Sequence, residues 1–358
     1  MRHARLLGFL TSGSSLALAF LSAEFVVRLA VGMPQPAEAL DRGLPPLHEP
    51  DPVLGWRNKS GAVVWPGRGS DAGRPIALTF WNGGRRATAA APGPSRPDVT
   101  IVGCSYTQGW AVSDAETFVW RLQERFPDRD FANLGTAGYG TYQSLLALER
   151  HLSVSSTPVD LVVYGFIEHH EIRNVAPAGW IRRLATATAA DRLGVPFATL
   201  GDDGALVHHV PEAYPHWFFD DQLASVAFLE ARLVDWRAGE RGSEARAVTE
   251  RLLEELRDAS GRRGAPLLVA ILEARPEARR HYLRWLAAHG IGAVDCAHPR
   301  SLDPAFLVPG YGHPGREIHA DWAACIGRAL ESRLTGGSVE LARDSEIRGV
   351  GTRETPVR

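Results

Sequence analysis

At 358 residues, 45% hydrophobic and 22% charged, the chain is long enough to bury one large core or two smaller ones. Its formal charge of -2 excludes the basic footprint of a nucleic-acid binder, so no nucleic-acid partner is expected. Its three cysteines, Cys104, Cys296 and Cys325, read neither as a disulfide framework nor as a metal-ligand set, and no metal or cofactor is expected.

Met1 to Arg5 is basic, and Leu6 to Val31 is mostly apolar, broken by Thr11-Ser12-Gly13-Ser14-Ser15 and by Glu24 and Arg28. A charged start before an apolar run fits an export signal or an uncleaved anchor. The run outlasts a signal core and nears spanning length, so residues 1–34 are expected to form a signal anchor, a single membrane helix. Glu24 and Arg28, four apart, would pair on one helix face near the outer interface. The basic end would stay inside and the globular part would face outward. Leu21-Ser22-Ala23 also fits a cleavage site, and a soluble amphipathic helix is the plain alternative.

Residues 35–97 are rich in Pro, Gly and Arg and read as a spacer and edge cover, with short strands expected at Asp51–Trp56 and Ile76–Trp81. From Asp98 the pattern changes. Val99-Thr100-Ile101-Val102 is a short β-branched run, as in a buried parallel strand. It enters Gly103-Cys104-Ser105, a turn that sets the Ser105 hydroxyl at the carboxyl edge of a sheet, where open α/β folds bind ligands. The plain alternative is a Gly-Ser turn capping a helix. Glu116–Phe126 and Tyr142–Leu152 show helical spacing, Asp130–Leu134 and Leu161–Ile167 read as strands, and Asn133 to Thr141 between them is Gly-rich. Strands alternating with helices predict an α/β fold, a three-layer doubly wound parallel sheet.

Residues 176–264 read as an insertion that caps the sheet edge, punctuated by Trp180, Tyr214, Trp217, Phe218 and Phe219. Such aromatics either stack on a sugar or simply pack a lid. Pro266–Leu272 and Ile291–Cys296 read as strands, with helices over Pro276–His289 and Pro314–Leu334. Residues 335–358 are polar and unpatterned, and a disordered tail is expected.

The order of these parts resembles the SGNH/GDSL hydrolase family. The resemblance lies in "GCSYTQGWAVSDAETF" from Gly103, "NLGTAGYGTYQ" from Asn133 and Gly312-His313-Pro314 before the last helix, and spans about residues 51–334. Pro50-Asp51-Pro52-Val53-Leu54-Gly55-Trp56 is similar to the upstream segment of bacterial, membrane-anchored members. The resemblance implies a flavodoxin-like domain over residues 98–334, placed by its anchor at the bacterial inner membrane and facing the periplasm or the cell exterior. It implies Ser105 as nucleophile, His313 as base, and the N–H groups of Ser105 and Gly138 as oxyanion donors. The side-chain donor that members carry as Asn falls at or near His169 and His170. A His there can donate instead, or Glu168-His169-His170-Glu171 is a solvated helix start, or the cluster ligates a metal. The acid that members carry just before the His falls at Gly310 or Tyr311. Asp303 from the same loop, or a backbone carbonyl, is the substitute. The function expected is an esterase or O-acyltransferase acting on a small-molecule or glycan ester, for instance on envelope or exported polysaccharide. The alternative is a weakly active or inactive member that binds a glycan or an export partner.

Overall fold

A computed structural model describes residues 2–33, 44–93, 98–155, 158–185 and 193–334. The tail expected at 335–358 lies outside the described residues. The chain opens with helix α1 (Arg2–Val31). No described helix is long and apolar enough to cross a membrane. The spanning helix expected over residues 1–34 is therefore not supported. The polar Thr11–Ser15 stretch dilutes the run, and the charged pair near its end is committed to protein contacts. Glu24 is buried, takes the Arg28 guanidinium at 2.5 Å and accepts from the amides of Ala224 and Ser225, each at 2.8 Å. Those amides open a later helix, so Glu24 caps it from outside.

Residues 44–93 do more than cover an edge. β1 (His48–Asp51) and β2 (Gly55–Asn58) form a small antiparallel ribbon. β3 (Gly61–Trp65), β4 (Ile76–Trp81) and β5 (Arg85–Arg86) join the main sheet as an antiparallel extension. The parallel part begins with β6 (Asp98–Gly103), which leads through a single helical turn, α2 (Ser105–Gln108), to α3 (Phe118–Arg125) and β7 (Asp130–Asn133). α4 (Thr141–Val154) and β8 (Val159–Ile167) complete the next crossover. Then come α5 (His170–Val175), α6 (Ala178–Ala185) and a hairpin of β9 (Gly194–Leu200) and β10 (Leu206–Ala213). α7 (Ala224–Ala238) and α8 (Ala245–Gly261) follow. β11 (Leu267–Glu273), α9 (Pro276–Ala288), β12 (Gly292–Asp295) and α10 (Arg316–Leu334) end the domain.

Among the described residues the main sheet has eight strands, ordered β12-β11-β8-β6-β7-β5-β4-β3. The five from β12 to β7 are parallel, and the last three run antiparallel. Strand alternation splits the core into two layers. Val99, Ile101, Leu161 and Val163 pack with Phe118, Leu122, Ile318 and Trp322 of α3 and α10. Val102, Val162, Tyr164 and Phe166 pack with Leu145 and Leu148 of α4, Leu252 and Leu256 of α8, and Tyr282 of α9. Each fully buried Leu or Ile in these layers contributes about 1.5–3 kcal/mol. α8 thus belongs to the three-layer core, and the inserted stretch ends before Ala245. Gly201 to Ala205 is the turn of the inserted hairpin, with Gly201 N donating to Ala205 O at 2.8 Å.

Cys296 and Cys325 form a disulfide that ties the end of β12 to α10, while Cys104 is a buried free thiol. The cysteines therefore do cross-link, across elements 29 residues apart.

Candidate active site

β6 ends at Gly103, whose φ of 153° brings the chain out of the sheet with no room for a side chain. A Cβ there would stand 2.2 Å from Thr107 Oγ1. The next two residues turn into α2, and Ser105 is its first residue. Asn133 Nδ2 donates to Thr107 O at 3.0 Å, and Gln108 Nε2 to Asn58 Oδ1 at 2.7 Å. The turn is thus fastened to β7 and to the ribbon.

His313 arrives from the loop before α10. Its Nε2 lies 3.0 Å from Ser105 Oγ, and its Nδ1 lies 3.2 Å from the carbonyl oxygen of Tyr311. A carbonyl only accepts, so Nδ1 carries the proton and Nε2 is the bare nitrogen facing the hydroxyl. The carbonyl therefore fixes the tautomer a general base requires. Trp110 packs against the ring at a centroid distance of 4.4 Å, and Tyr106 meets it edge-on at 5.8 Å. Burial pushes the imidazole down to about 4, only partly opposed by the Tyr311 carbonyl and assisted by the Arg173 charge. The ring is neutral at pH 7.

Tyr311 is itself held by the antiparallel extension. Its ring stacks on Trp65 at 5.8 Å, Arg68 lies 4.5 Å over its other side, and its hydroxyl donates to Pro66 O at 2.7 Å. Asp303, the expected acid, accepts from Ala305 N at 2.9 Å and caps a short 3-10 turn. No hydrogen bond or ion pair joins it to His313 among the described residues. That corrects the acid assignment: the Asp is consumed by its own loop, and the backbone carbonyl holds the ring.

Gly138 lines the same cleft. Gly138 has φ of 86°, and a Cβ there would stand 2.8 Å from Trp56. Trp56 fixes this loop by donating from Nε1 to Ala137 O at 2.8 Å, and the Tyr139 hydroxyl donates back to Trp56 O. The Pro50–Trp56 segment places that indole. Asp51 accepts from the amides of Val53 and Leu54 at 2.9 and 2.8 Å and pairs with both terminal nitrogens of Arg150. The hydrogen bonds from Arg150 hold the Asp51 carboxyl well below the usual range. Among the described residues, the amides of Ser105 and Gly138 donate to no protein acceptor.

His169 and His170 do not line this cleft, which corrects their expected role as donors. His170 is fully buried under α4, its Nδ1 2.6 Å from the Tyr164 hydroxyl, which also bonds Thr141 Oγ1 at 2.8 Å. Burial drives its pKa well below the ordinary imidazole value. His169 packs edge-on against Trp180. Glu171 takes the Tyr282 hydroxyl at 2.7 Å and the Arg246 guanidinium at 3.1 Å. No metal-ligand cluster includes these residues among those described. The side chain that does reach the cleft from α5 is Arg173. The cleft holds about 330 Å³, with Ser105, Gly138 and His313 on its floor and Trp56, Trp65, Trp110, Trp180 and Tyr311 in its walls.

Such a fold and site define a doubly wound α/β protein with a serine–histidine pair at the carboxyl edge of its sheet. No protein-family model matches the chain, and no curated protein does. Solved structures do. The chain is similar to a member of the lipolytic protein G-D-S-L family from Veillonella parvula DSM 2008, with 12% identity, a TM-score of 0.37, and 65% of this chain and 96% of that chain covered. It is similar to the lipase/acylhydrolase from Enterococcus faecalis, with 14% identity, a TM-score of 0.35, and coverage of 66% and 96%. It is also similar to AlinE4, a SGNH-hydrolase family esterase, with 13% identity, a TM-score of 0.35, and coverage of 68% and 99%. The solved structures it resembles are thus GDSL and SGNH lipolytic hydrolases; at this distance their chemistry is theirs.

Proposed function

We propose that the protein is a serine ester hydrolase of the SGNH/GDSL kind, working with a Ser105–His313 dyad. The observation that carries this reading is the 3.0 Å contact between Ser105 Oγ and the unprotonated Nε2 of His313, beside two amides with no protein acceptor. As Ser105 Oγ attacks the acyl carbon, its proton passes to His313 Nε2. Charge builds on the carbonyl oxygen, and the Ser105 and Gly138 amides are the donors for it. The protonated His313 then returns the proton to the leaving alkoxide, and a water deacylates the serine by the same route. The Tyr311 carbonyl orients the ring as the acid of a triad does, but brings only a partial charge to stabilise the imidazolium.

Among the described residues no carboxylate stands behind His313, which favours a second reading, a weakly active member that binds a glycan ester or a partner. Turnover of p-nitrophenyl acetate separates the two. The hydrolase reading expects turnover that Ser105→Ala abolishes, with stability changed by no more than about 1 kcal/mol. Wild-type protein with no turnover on acetyl esters or acetylated glycans would leave the binding reading. The Cys296–Cys325 disulfide supports work in an oxidising compartment, outside the cytoplasm. A periplasmic or extracellular glycan ester fits that setting.

A further inference from the structure

Among the described residues, Arg173 is a cation in a site with no anion. It lines the cleft with Ser105 and His313, and none of the described residues lining that cleft is a carboxylate. It makes no ion pair among the described residues. The acids nearest it in sequence are taken, Glu168 by Arg275 and Glu171 by Arg246 at 3.1 Å. The guanidinium offers five N–H donors. It donates from one terminal nitrogen to Tyr139 O at 2.9 Å, and its buried Nε has no partner. Its charged plane lies 5.2 Å from the Trp180 ring. A half-buried guanidinium against indole, short of both countercharge and acceptors, is costly unless a ligand completes it. Arg183, one turn beyond on α6, lines the same cleft.

We propose that this cleft selects an ester bearing a carboxylate, and that Arg173 is the residue that recognises it. The inference rests on the hydrolase reading above. Arg173 pins the carbonyl next to Gly138, so its remaining donors sit beside the loop where the acyl group must lie. A carboxylate there accepts from the planar fork and supplies the missing countercharge. The aromatic walls lower the polarity around that contact and strengthen it. The carboxylate belongs either to the alcohol half, as in an acylated sugar acid, or to the acyl half, as in a half-ester of a dicarboxylic acid.

Matched pairs of esters test this with the full chain. 4-Acetoxybenzoate against its methyl ester places or removes a carboxylate on the alcohol side. Monomethyl adipate against dimethyl adipate does so on the acyl side. In one pair, kcat/KM for the anionic ester should exceed that for the neutral one about tenfold or more, chiefly through KM. Arg173→Gln should bring that ratio close to unity, and Arg173→Lys, which keeps the charge but not the fork, should retain part of it. Should the Gln variant fail to fold, the fall in ratio with Lys decides. No anionic preference in either pair overturns the proposal, as does a loss in Arg173→Gln that falls equally on both members. If wild type hydrolyses no ester, calorimetric binding of 4-hydroxybenzoate and of monomethyl adipate separates the two ideas. Binding weakened about tenfold by Arg173→Gln keeps the anion site while the hydrolase reading falls. Binding indifferent to Arg173 removes both.

Discussion

His313, half-buried at the cleft, is desolvated enough to be a weak base and held well enough to be a useful one. With its imidazole pushed down to about 4, it stays unprotonated across the range where an ordinary imidazole, near 6.5, would already carry a proton. The kcat/KM profile reports the free enzyme's base. It should therefore stay flat from about pH 8 to about pH 5.5 and fall by half only near about 4. A midpoint near about 6.5 would mean that the ring is not desolvated in the cleft. The same shift bears on folding. His313 and His319, the latter pushed down to about 3 and accepting from Phe118 N at 3.3 Å, bind their protons less readily folded than unfolded. Their contribution is therefore complete above about pH 6.5 and is lost as the pH falls toward about 4 and then about 3. Ser105, Gly138 and His313 were legible because each sits in a short run with a fixed role in a turn. The ring's true partner was not, since every residue has a carbonyl and only the fold decides which one faces Nδ1. Arg173 was missed for a related reason. The sequence puts His169, His170 and Arg173 in one cluster, and only the direction of the first turn of α5 tells which of them meets the cleft.

At the scale of elements, the site is built where the parallel strands meet the ribbon and the antiparallel extension. The ribbon supplies Trp56, which braces the Gly138 loop, and the extension supplies Trp65, Pro66 and Arg68, which brace Tyr311. Trp56→Phe keeps most of the packing and removes the bond to Ala137 O. Loss of a whole oxyanion donor costs two to three orders of magnitude, so a loosened one should cost about tenfold in kcat. Stability should fall by only about 1 kcal/mol. Steady-state kinetics beside thermal melts would show it, and unchanged kcat would mean that Trp56 is only core. The parallel strands β6, β7, β8, β11 and β12 were readable as apolar runs between helical spacings, whereas the inserted hairpin of β9 and β10 showed only its turn. The extension was readable in part: Ile76–Trp81 alternates, but the Pro- and Gly-rich neighbourhood hides that it joins the main sheet. The buried Arg86 shows why. It donates to Val112 O at 2.9 Å and pairs with Asp114 at 3.0 Å, so a charged residue occupies a core strand position.

Across the whole molecule, three separate stretches converge on one cleft. The strand–turn–helix at Ser105 supplies the proposed nucleophile, the loop before α10 the proposed base, and residues before Asp98 the bracing. The disulfide between residues 29 apart was invisible in sequence because its cysteines belong to different elements. The docking of α1 on α7 through Glu24 was equally hidden, since pairing with Arg28 explained the same two charges locally. What unites the account is the claim that Ser105 is an activated nucleophile. Reaction of the intact protein with a fluorophosphonate, read by peptide mass spectrometry, tests that most directly. The account predicts one adduct, on the peptide containing Ser105, formed at pH 7, absent in Ser105→Ala and slowed at least about a hundredfold in His313→Ala. No adduct on a folded wild type, or labelling of Ser105 at the same rate without His313, would contradict it.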